Sequence, residues 1–117
     1  MQSYRELAVW QRSMRLVEAV YAASETLPRT EVYGLASQMR RAAVSIPSNI
    51  AEGKALGGLN YPRHIRVALA SESELETQIE LAARLKMLPK EDAAALAAKA
   101  AEVGRMLAGL FRSLPKE

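Results

Sequence analysis

Apolar residues recur every three or four positions along four long stretches of this 117-residue sequence, and that spacing constrains the fold more than any other feature. It places apolar side chains along one side of an α-helix. Strands are not indicated, because β-branched residues never gather in an alternating run. The predicted helices span about residues 4–24, 31–54, 60–87 and 90–114, with Pro28, the pair Gly57-Gly58 and Pro89 between them.

Local signals refine these helices. Ser3 and Glu6 form a capping-box pattern ahead of helix 1. Asn60 is the predicted N-cap of helix 3. Pro47 lies inside helix 2, but the apolar spacing keeps its phase on both sides, so we expect a kinked, continuous helix.

Four amphipathic helices joined by short links predict an all-α fold, an antiparallel up-and-down four-helix bundle with residues 1–117 as one domain. Each helix has one apolar row expected to face the core. The rows are Leu7, Trp10, Met14, Val17 and Tyr21; Leu35, Met39, Ala42, Ile46 and Ile50; Ile65, Ala68 or Leu69, Leu75, Ile79 and Ala82; and Leu96, Ala100, Val103, Leu107, Leu110 and Leu114.

Composition excludes several kinds of chemistry. The chain has no cysteine and one histidine, His64, which excludes disulfides, a cysteine nucleophile and a histidine-rich metal site. It has neither a P-loop nor a Gly-x-Gly-x-x-Gly motif. No apolar run approaches the ~20 residues of a membrane span, and no signal peptide is evident. We therefore expect a cytoplasmic protein without enzymatic activity, cofactor or membrane association.

An acidic row follows helix 3. Glu72, Glu76 and Glu80 are spaced four residues apart and lead toward Arg84. Di-metal sites in bundles normally add Glu-x-x-His pairs, which this sequence lacks. We therefore expect a solvated acidic face with an ion pair between Glu80 and Arg84.

The excess of positive charge lies in the first half of the chain. Residues 1–66 contain nine Lys/Arg and five Asp/Glu, whereas residues 67–117 contain seven and eight. Such a cluster suits phosphate contacts, although solvation or salt bridging, for instance of Arg41 to a helix 3 carboxylate, also explains it. The candidate nucleic-acid-binding residues are Arg40, Arg41, Lys54, Arg63 and Arg66.

Polar residues run beside the core row of helix 2, where a bundle half-buries side chains. They are expected to form hydrogen bonds to helix 3 that fix the register of the two helices; a ligand or partner surface is the alternative. Ser71 is one further expected partner on helix 3. The candidate register residues are Gln38, Ser45, Asn49, Glu52, Glu74 and Gln78.

Some apolar residues do not fit the core rows. Val44 lies nearly opposite Ile46 on helix 2, and Val9, Ala36 and Ala51 also fit poorly. Apolar residues outside the core row often mark a second interface, so we expect a homo-oligomer.

The segment from Gln38 to Gly53, which reads Gln-Met-Arg-Arg-Ala-Ala-Val-Ser-Ile-Pro-Ser-Asn-Ile-Ala-Glu-Gly, resembles the signature of the four-helix-bundle intervening-sequence proteins. These were first noticed as reading frames inside insertions of bacterial 23S ribosomal RNA genes. Leu7–Trp10 and Glu74–Ala82 are also similar to that family. The sequence departs from it after Gly53, where a basic, serine-containing stretch is replaced by one with a single charge, and at His64 and Ala70.

The resemblance implies an antiparallel four-helix bundle that assembles into a ring-shaped homo-oligomer, typically a pentamer, without known enzymatic activity. A related branch comprises basic retroelement accessory proteins that bind nucleic acid and associate with a reverse transcriptase. Two functions are therefore predicted: an oligomeric interaction or scaffold protein, with a possible protein partner, or an oligomer that binds RNA or DNA without regard to sequence.

Overall fold

The chain folds, in a computed structural model that describes residues 3–117, into four α-helices with no strand in that range. A 3-10 turn precedes the first helix, at Tyr4–Glu6, and another precedes the second, at Arg29–Glu31. The helices are α1 (Ala8–Ser24), α2 (Leu35–Leu56), α3 (Asn60–Arg84) and α4 (Lys90–Ser113).

Each helix packs against the next one along the chain, and α1 also packs against α4. Within the described residues, neither α1 and α3 nor α2 and α4 are in contact, so the helices occupy the corners of a square. The molecule measures 44 × 23 × 22 Å, and the short links make successive helices antiparallel. The predicted all-α, up-and-down four-helix bundle is confirmed.

The helix ends differ from the predictions in detail. Ser3 accepts a hydrogen bond from the Arg5 amide, but it opens the 3-10 turn and not α1, which begins at Ala8. Asn60 is the first residue of α3 and makes no cap; the helix begins after Leu59 without a side-chain cap bond. The prediction that helix 2 is continuous through Pro47 is confirmed, because α2 runs past this residue unbroken.

Helix α3 ends earlier than predicted, at Arg84 and not at Met87. The chain leaves the helix through Lys86, whose φ of 60° is left-handed. The amides of Met87 and Leu88 then both donate to the carbonyl of Ala82, which satisfies an acceptor that the helix end leaves free.

The core rows predicted for α2, α3 and α4 are confirmed, since nearly all of their members are buried or packed against the buried cluster. The row predicted for α1 is confirmed only in part, since Leu7, Trp10 and Val17 pack against the edge of the buried cluster. Val9, Leu16 and Val20 face the core, whereas Met14 and Tyr21 are each 41% exposed. The buried row also contains Ser13 and Ser24, and two serines made it look polar in the sequence.

Those two serines can be buried because each satisfies its own hydroxyl. Ser13 Oγ donates to the carbonyl of Trp10 at 2.8 Å, and Ser24 Oγ donates to that of Tyr21 at 2.9 Å. A small side chain with its hydrogen bond made locally costs little to desolvate and lets neighbouring helices approach. The core therefore accepts the row that contains the two serines, and it leaves Met14 and Tyr21 partly exposed.

Candidate interaction surfaces

The bulky row of α1 lines a surface groove between α1 and α2, which we call the tryptophan groove. Trp10 packs on Tyr4 with ring centroids 5.3 Å apart at 63°, an edge-to-face arrangement. The α2 wall includes Val44, which is 40% exposed, and the partly buried Ala51. Of the residues predicted for a second interface, Val44 and Ala51 lie here, whereas Val9 and Ala36 are buried in the core. The groove is lined by Tyr4, Trp10, Met14, Val17, Val44, Pro47, Ser48 and Ala51.

A second groove, the tyrosine groove, continues from the first and shares Val44 with it. Arg40 is held in place there: its guanidinium lies 4.9 Å from the centre of the Tyr21 ring, and its Nε donates to Ser24 Oγ at 2.7 Å. Tyr33 is 95% exposed at the rim. The groove is lined by Tyr21, Val32, Tyr33, Ser37, Arg40, Arg41, Val44 and Ser45.

A polar chain crosses between α2 and α3. His64 Nδ1 donates to Asn49 Oδ1 at 2.9 Å, and Asn49 Nδ2 donates to the carbonyl and the hydroxyl of Ser45 at 2.8 and 3.0 Å. Since the Ser45 hydroxyl accepts that bond, its proton is free to be donated to Ser71 Oγ at 2.8 Å. The bonds fix which residues of the two helices stand at the same height.

The other candidate register residues lie outside this chain of bonds. Glu52 Oε2 is 3.8 Å from His64 Nδ1, at an exposed position. Gln78 donates from Nε2 to Glu74 Oε2 at 3.4 Å, along α3 and not across to α2. The Oε1 atom of Gln78 is buried and makes no hydrogen bond within residues 3–117. Gln38 is exposed at the edge of a pocket that also contains Glu74.

Gly53 explains how α2 and α3 approach closely next to this polar chain. A Cβ built on Gly53 would lie 2.8 Å from His64 Cβ and 3.2 Å from the Tyr61 carbonyl oxygen. Real Cβ atoms essentially never sit that close, so only glycine fits here. The sequence pattern did not indicate His64 as a hydrogen-bonding residue or Gly53 as a contact with α3; the spacing of Asn49 and Gly53, one turn apart, is the available signal.

The five candidate nucleic-acid-binding residues fall into two groups. Arg40 and Arg41 line the tyrosine groove. Lys54 lies over the Tyr61 ring, 5.6 Å from its centre, near the exposed Arg63 and Arg66 at the α2–α3 end of the bundle. Burial of Tyr61 raises the pKa of its hydroxyl.

None of these five residues takes part in an ion pair with a carboxylate between residues 3 and 117, so the salt bridge considered for Arg41 does not form.

The acidic row of α3 is not uniformly solvated. The predicted ion pair forms, with Arg84 Nη2 2.7 Å from Glu80 Oε2. Glu72, however, is 5% exposed, and its Oε2 has no hydrogen-bond partner in the described structure. Its carboxyl group lies where a side chain on Gly104 of α4 would lie, because a Cβ built there would be 2.7 Å from Glu72 Oε1. Burial, with the nearby Glu76 carboxylate, raises the pKa of Glu72 to about 8.

A third groove, the alanine groove, lies between α3 and α4. Three alanines of α4 form one wall, and Glu76 and Glu80 stand on the other. Lys90 adds a cation at the start of α4. The groove is lined by Glu76, Thr77, Ile79, Glu80, Ala83, Lys90, Ala93, Ala94 and Ala97.

Between residues 3 and 117, no three histidine or carboxylate side chains are grouped so that they could hold a metal ion. In that same range no helix combines the length and the hydropathy required to cross a membrane. Ser13, Ser24, Ser45 and His64 are engaged in structural hydrogen bonds.

Comparison with known proteins agrees with this architecture. No curated protein sequence matches the chain. A crystal structure of a protein of unknown function from the S23 ribosomal protein family, from Bacteroides thetaiotaomicron VPI-5482, superposes with a TM-score of 0.84 at 18% identity; the match covers 91% of this chain and 100% of that one. At this identity the likeness shows the fold. The family model of the 23S rRNA-intervening sequence protein matches residues 5–109, and the chain therefore belongs to that family.

Proposed function

We propose that the chain is a non-enzymatic interaction protein that assembles into a ring-shaped homo-oligomer in the cytoplasm through the outer face of α1 and α2. One observation carries the proposal: the tryptophan and tyrosine grooves join into a continuous strip of large side chains outside the core. Trp, Tyr, Met and Arg are the residue types enriched at the centres of protein interfaces. The strip contains Trp10, Met14, Tyr21, Tyr33 and Arg40.

Trp10 and Val17 pack against the core at the base of this strip, but much of the strip stays exposed once the bundle has formed, which supports a role in association. The bundle interior itself is filled by the rows of α2, α3 and α4 and by Val9, Leu16 and Val20 of α1. A monomer would leave the Met14, Tyr21 and Val44 side chains about two-fifths exposed on one face. Burying such a face against another protein surface gains roughly 25 cal/mol for each Å² of apolar area. A ring of five subunits, which the family resemblance implies, is the assembly we propose.

Val44→Glu is expected to convert the oligomer into a folded monomer of 12.8 kDa, since Val44 lies where the two grooves meet and a carboxylate there would have to lose its water on association. Light scattering coupled to size exclusion measures the mass, and circular dichroism checks the fold. Val67→Glu is the matched control, because Val67 is 49% exposed on α3 outside all three grooves. A monomeric wild-type chain, or an oligomer unchanged by Val44→Glu, would refute the proposal.

A second candidate function is sequence-independent nucleic-acid binding. It is supported by the α2–α3 end of the bundle, where Lys54, Arg63 and Arg66 carry charges that no carboxylate of the described residues neutralises. A ring repeats this group once per subunit, so weak phosphate contacts would add up through avidity.

Gel-shift titrations with unrelated RNA and DNA strands at low and moderate salt test this candidate. The double variant Arg63→Gln/Arg66→Gln should weaken binding equally for every sequence and flatten the dependence of log K on log salt by about 1 for each lost contact. Lys99→Gln, an exposed cation on α4, is the control. Absence of binding by micromolar oligomer in low salt would remove the candidate.

A further inference from the structure

We propose that copies of this chain associate head to tail, with the tyrosine groove of one copy seated on the alanine groove of the next. This inference rests on the proposed self-association and assigns the second surface that the association requires. The two grooves lie on different sides of the bundle, because residues of α1 and α2 line the first and residues of α3 and α4 line the second.

The two grooves complement each other in shape. The tyrosine groove presents large side chains, with Tyr33 almost fully exposed beside Tyr21 and Val44. The alanine groove presents short ones, since Ala93, Ala94 and Ala97 form its α4 wall. Large side chains set against a row of small ones is the arrangement by which packed surfaces interdigitate.

The charges are complementary as well. Arg40 and Arg41 stand in the tyrosine groove, and Glu76 and Glu80 stand in the alanine groove. Glu80 is already paired with Arg84, and Lys90 stands at the end of the alanine groove, so Glu76 is the carboxylate best placed for an incoming arginine. Two tyrosine grooves set face to face would bring Arg40 and Arg41 against their own copies with repulsion, whereas a head-to-tail contact brings them to Glu76.

Both grooves stand at the same height along the bundle, which is one of the conditions for a closed ring. The hydrogen bond between Ser45 and Ser71 sets these two residues level. Arg41 is four residues before Ser45, and Glu76 is five residues after Ser71. Because α2 and α3 are antiparallel, both residues lie on the same side of the level of Ser45 and Ser71, at about 6 and 7.5 Å from it along the bundle axis. With almost no rise from one groove to the other, successive copies stay in one plane, as closure into a ring requires.

Tyr33 and the alanine groove also lie at a similar height along the bundle, counted in residues from Ser45 and from Ser71. Tyr33 precedes Ser45 by twelve residues and Ala83 follows Ser71 by twelve, and Ala83 lines the alanine groove together with Ala94. A head-to-tail contact therefore brings Tyr33 of one copy close to Ala94 of the next.

Cysteine cross-linking tests the arrangement without interference, because the chain has no thiol of its own. Under mild oxidation the double variant Tyr33→Cys/Ala94→Cys should give a ladder of covalent multimers, and each single variant should remain uncross-linked. Tyr33→Cys/Ala70→Cys, which places the second thiol on the exposed outer side of α3, is the control and should give no ladder.

Charge reversal supplies a second measurement. Arg41→Glu and Glu76→Arg should each weaken association at least tenfold at low salt, and the double variant should recover most of that loss; Arg15→Glu and Glu18→Arg, outside the grooves, should change little. Cross-linking of Tyr33→Cys alone, or no recovery in the double charge variant, would overturn the head-to-tail arrangement. Self-association would then still stand if Val44→Glu gives a monomer, so the two proposals fail separately.

Discussion

Replacing Glu72 by glutamine is expected to remove most of the loss of stability that the wild-type bundle suffers as pH rises from 5 to 9. The Glu72 carboxyl group is buried against Gly104, and its folded-state pKa is about 8 against an ordinary value of 4.5. The folded state therefore holds a proton that the unfolded state has released. The contribution of Glu72 to the free energy of unfolding is highest below pH 4.5, and it falls as pH rises toward 8.

The effect is large because each unit of pKa difference corresponds to about 1.4 kcal/mol, and the interval spans several units. Glutamine has nearly the same shape and no proton to lose, so the variant should be the more stable protein at pH 9. Urea unfolding at pH 5, 7 and 9, followed by circular dichroism, measures the difference in pH dependence between the two proteins.

Glu76→Gln is the matched control for this prediction. Glu76 is exposed and lies one turn away from Glu72. Its carboxylate also raises the pKa of Glu72, but burial is the larger cause. Its removal should therefore leave most of the pH dependence in place. If Glu72→Gln and the wild type lose stability in parallel between pH 5 and 9, the buried carboxyl group does not hold a proton there.

Substitution of Gly53 is the second change with a large expected effect. Gly53→Ala should destabilise the bundle by roughly 1–3 kcal/mol, even though alanine favours a helix by about 1 kcal/mol over glycine. The added methyl group would meet His64 Cβ and the Tyr61 backbone, neither of which can rotate away. The helices must then separate, which also weakens the hydrogen bond from His64 to Asn49. Gly53→Val should cost more.

Gly109→Ala provides the control within the same fold. The nearest atom to a Cβ built on Gly109 is an Arg112 guanidinium nitrogen at 3.8 Å, an ordinary contact. This substitution should raise the melting temperature slightly or leave it unchanged, whereas Gly53→Ala should lower it by roughly 5–15 °C. Equal melting temperatures for the two alanine variants would show that α2 and α3 do not approach as closely as described.

Periodicity was sufficient to predict α2, α3 and α4, because their buried rows consist of apolar residues. It failed for α1, where Ser13 and Ser24 belong to the buried row. Apolar spacing identifies hydrophobic side chains only. The buried row of α1 also contains small side chains whose hydroxyls bond to their own helix. The bulkier row of Met14 and Tyr21 then stayed outside, a result that no property of α1 by itself reveals.

The candidate sites were predictable to a similar extent. Ser45 and Asn49 lie at the edge of α2 as their helical phase indicates, but the partner His64 depends on where α3 crosses. The basic residues looked like one cluster in sequence, yet Arg41 and Lys54 are thirteen residues apart on one helix, which separates them by about 20 Å. Burial of Glu72 could not be predicted either, since it depends on the glycine that α4 places opposite.

The hydroxyl-lined inner side of α1 has a consequence for how such a protein can change. Ser13, Leu16 and Val20 hold the helix in the bundle, whereas Met14 and Tyr21 are each 41% exposed and contribute less to the core. Substitutions at those outward positions should therefore change the binding partner at a smaller cost in stability than substitutions at the buried positions. One face of α1 thus maintains the fold, and the opposite face selects the binding partner.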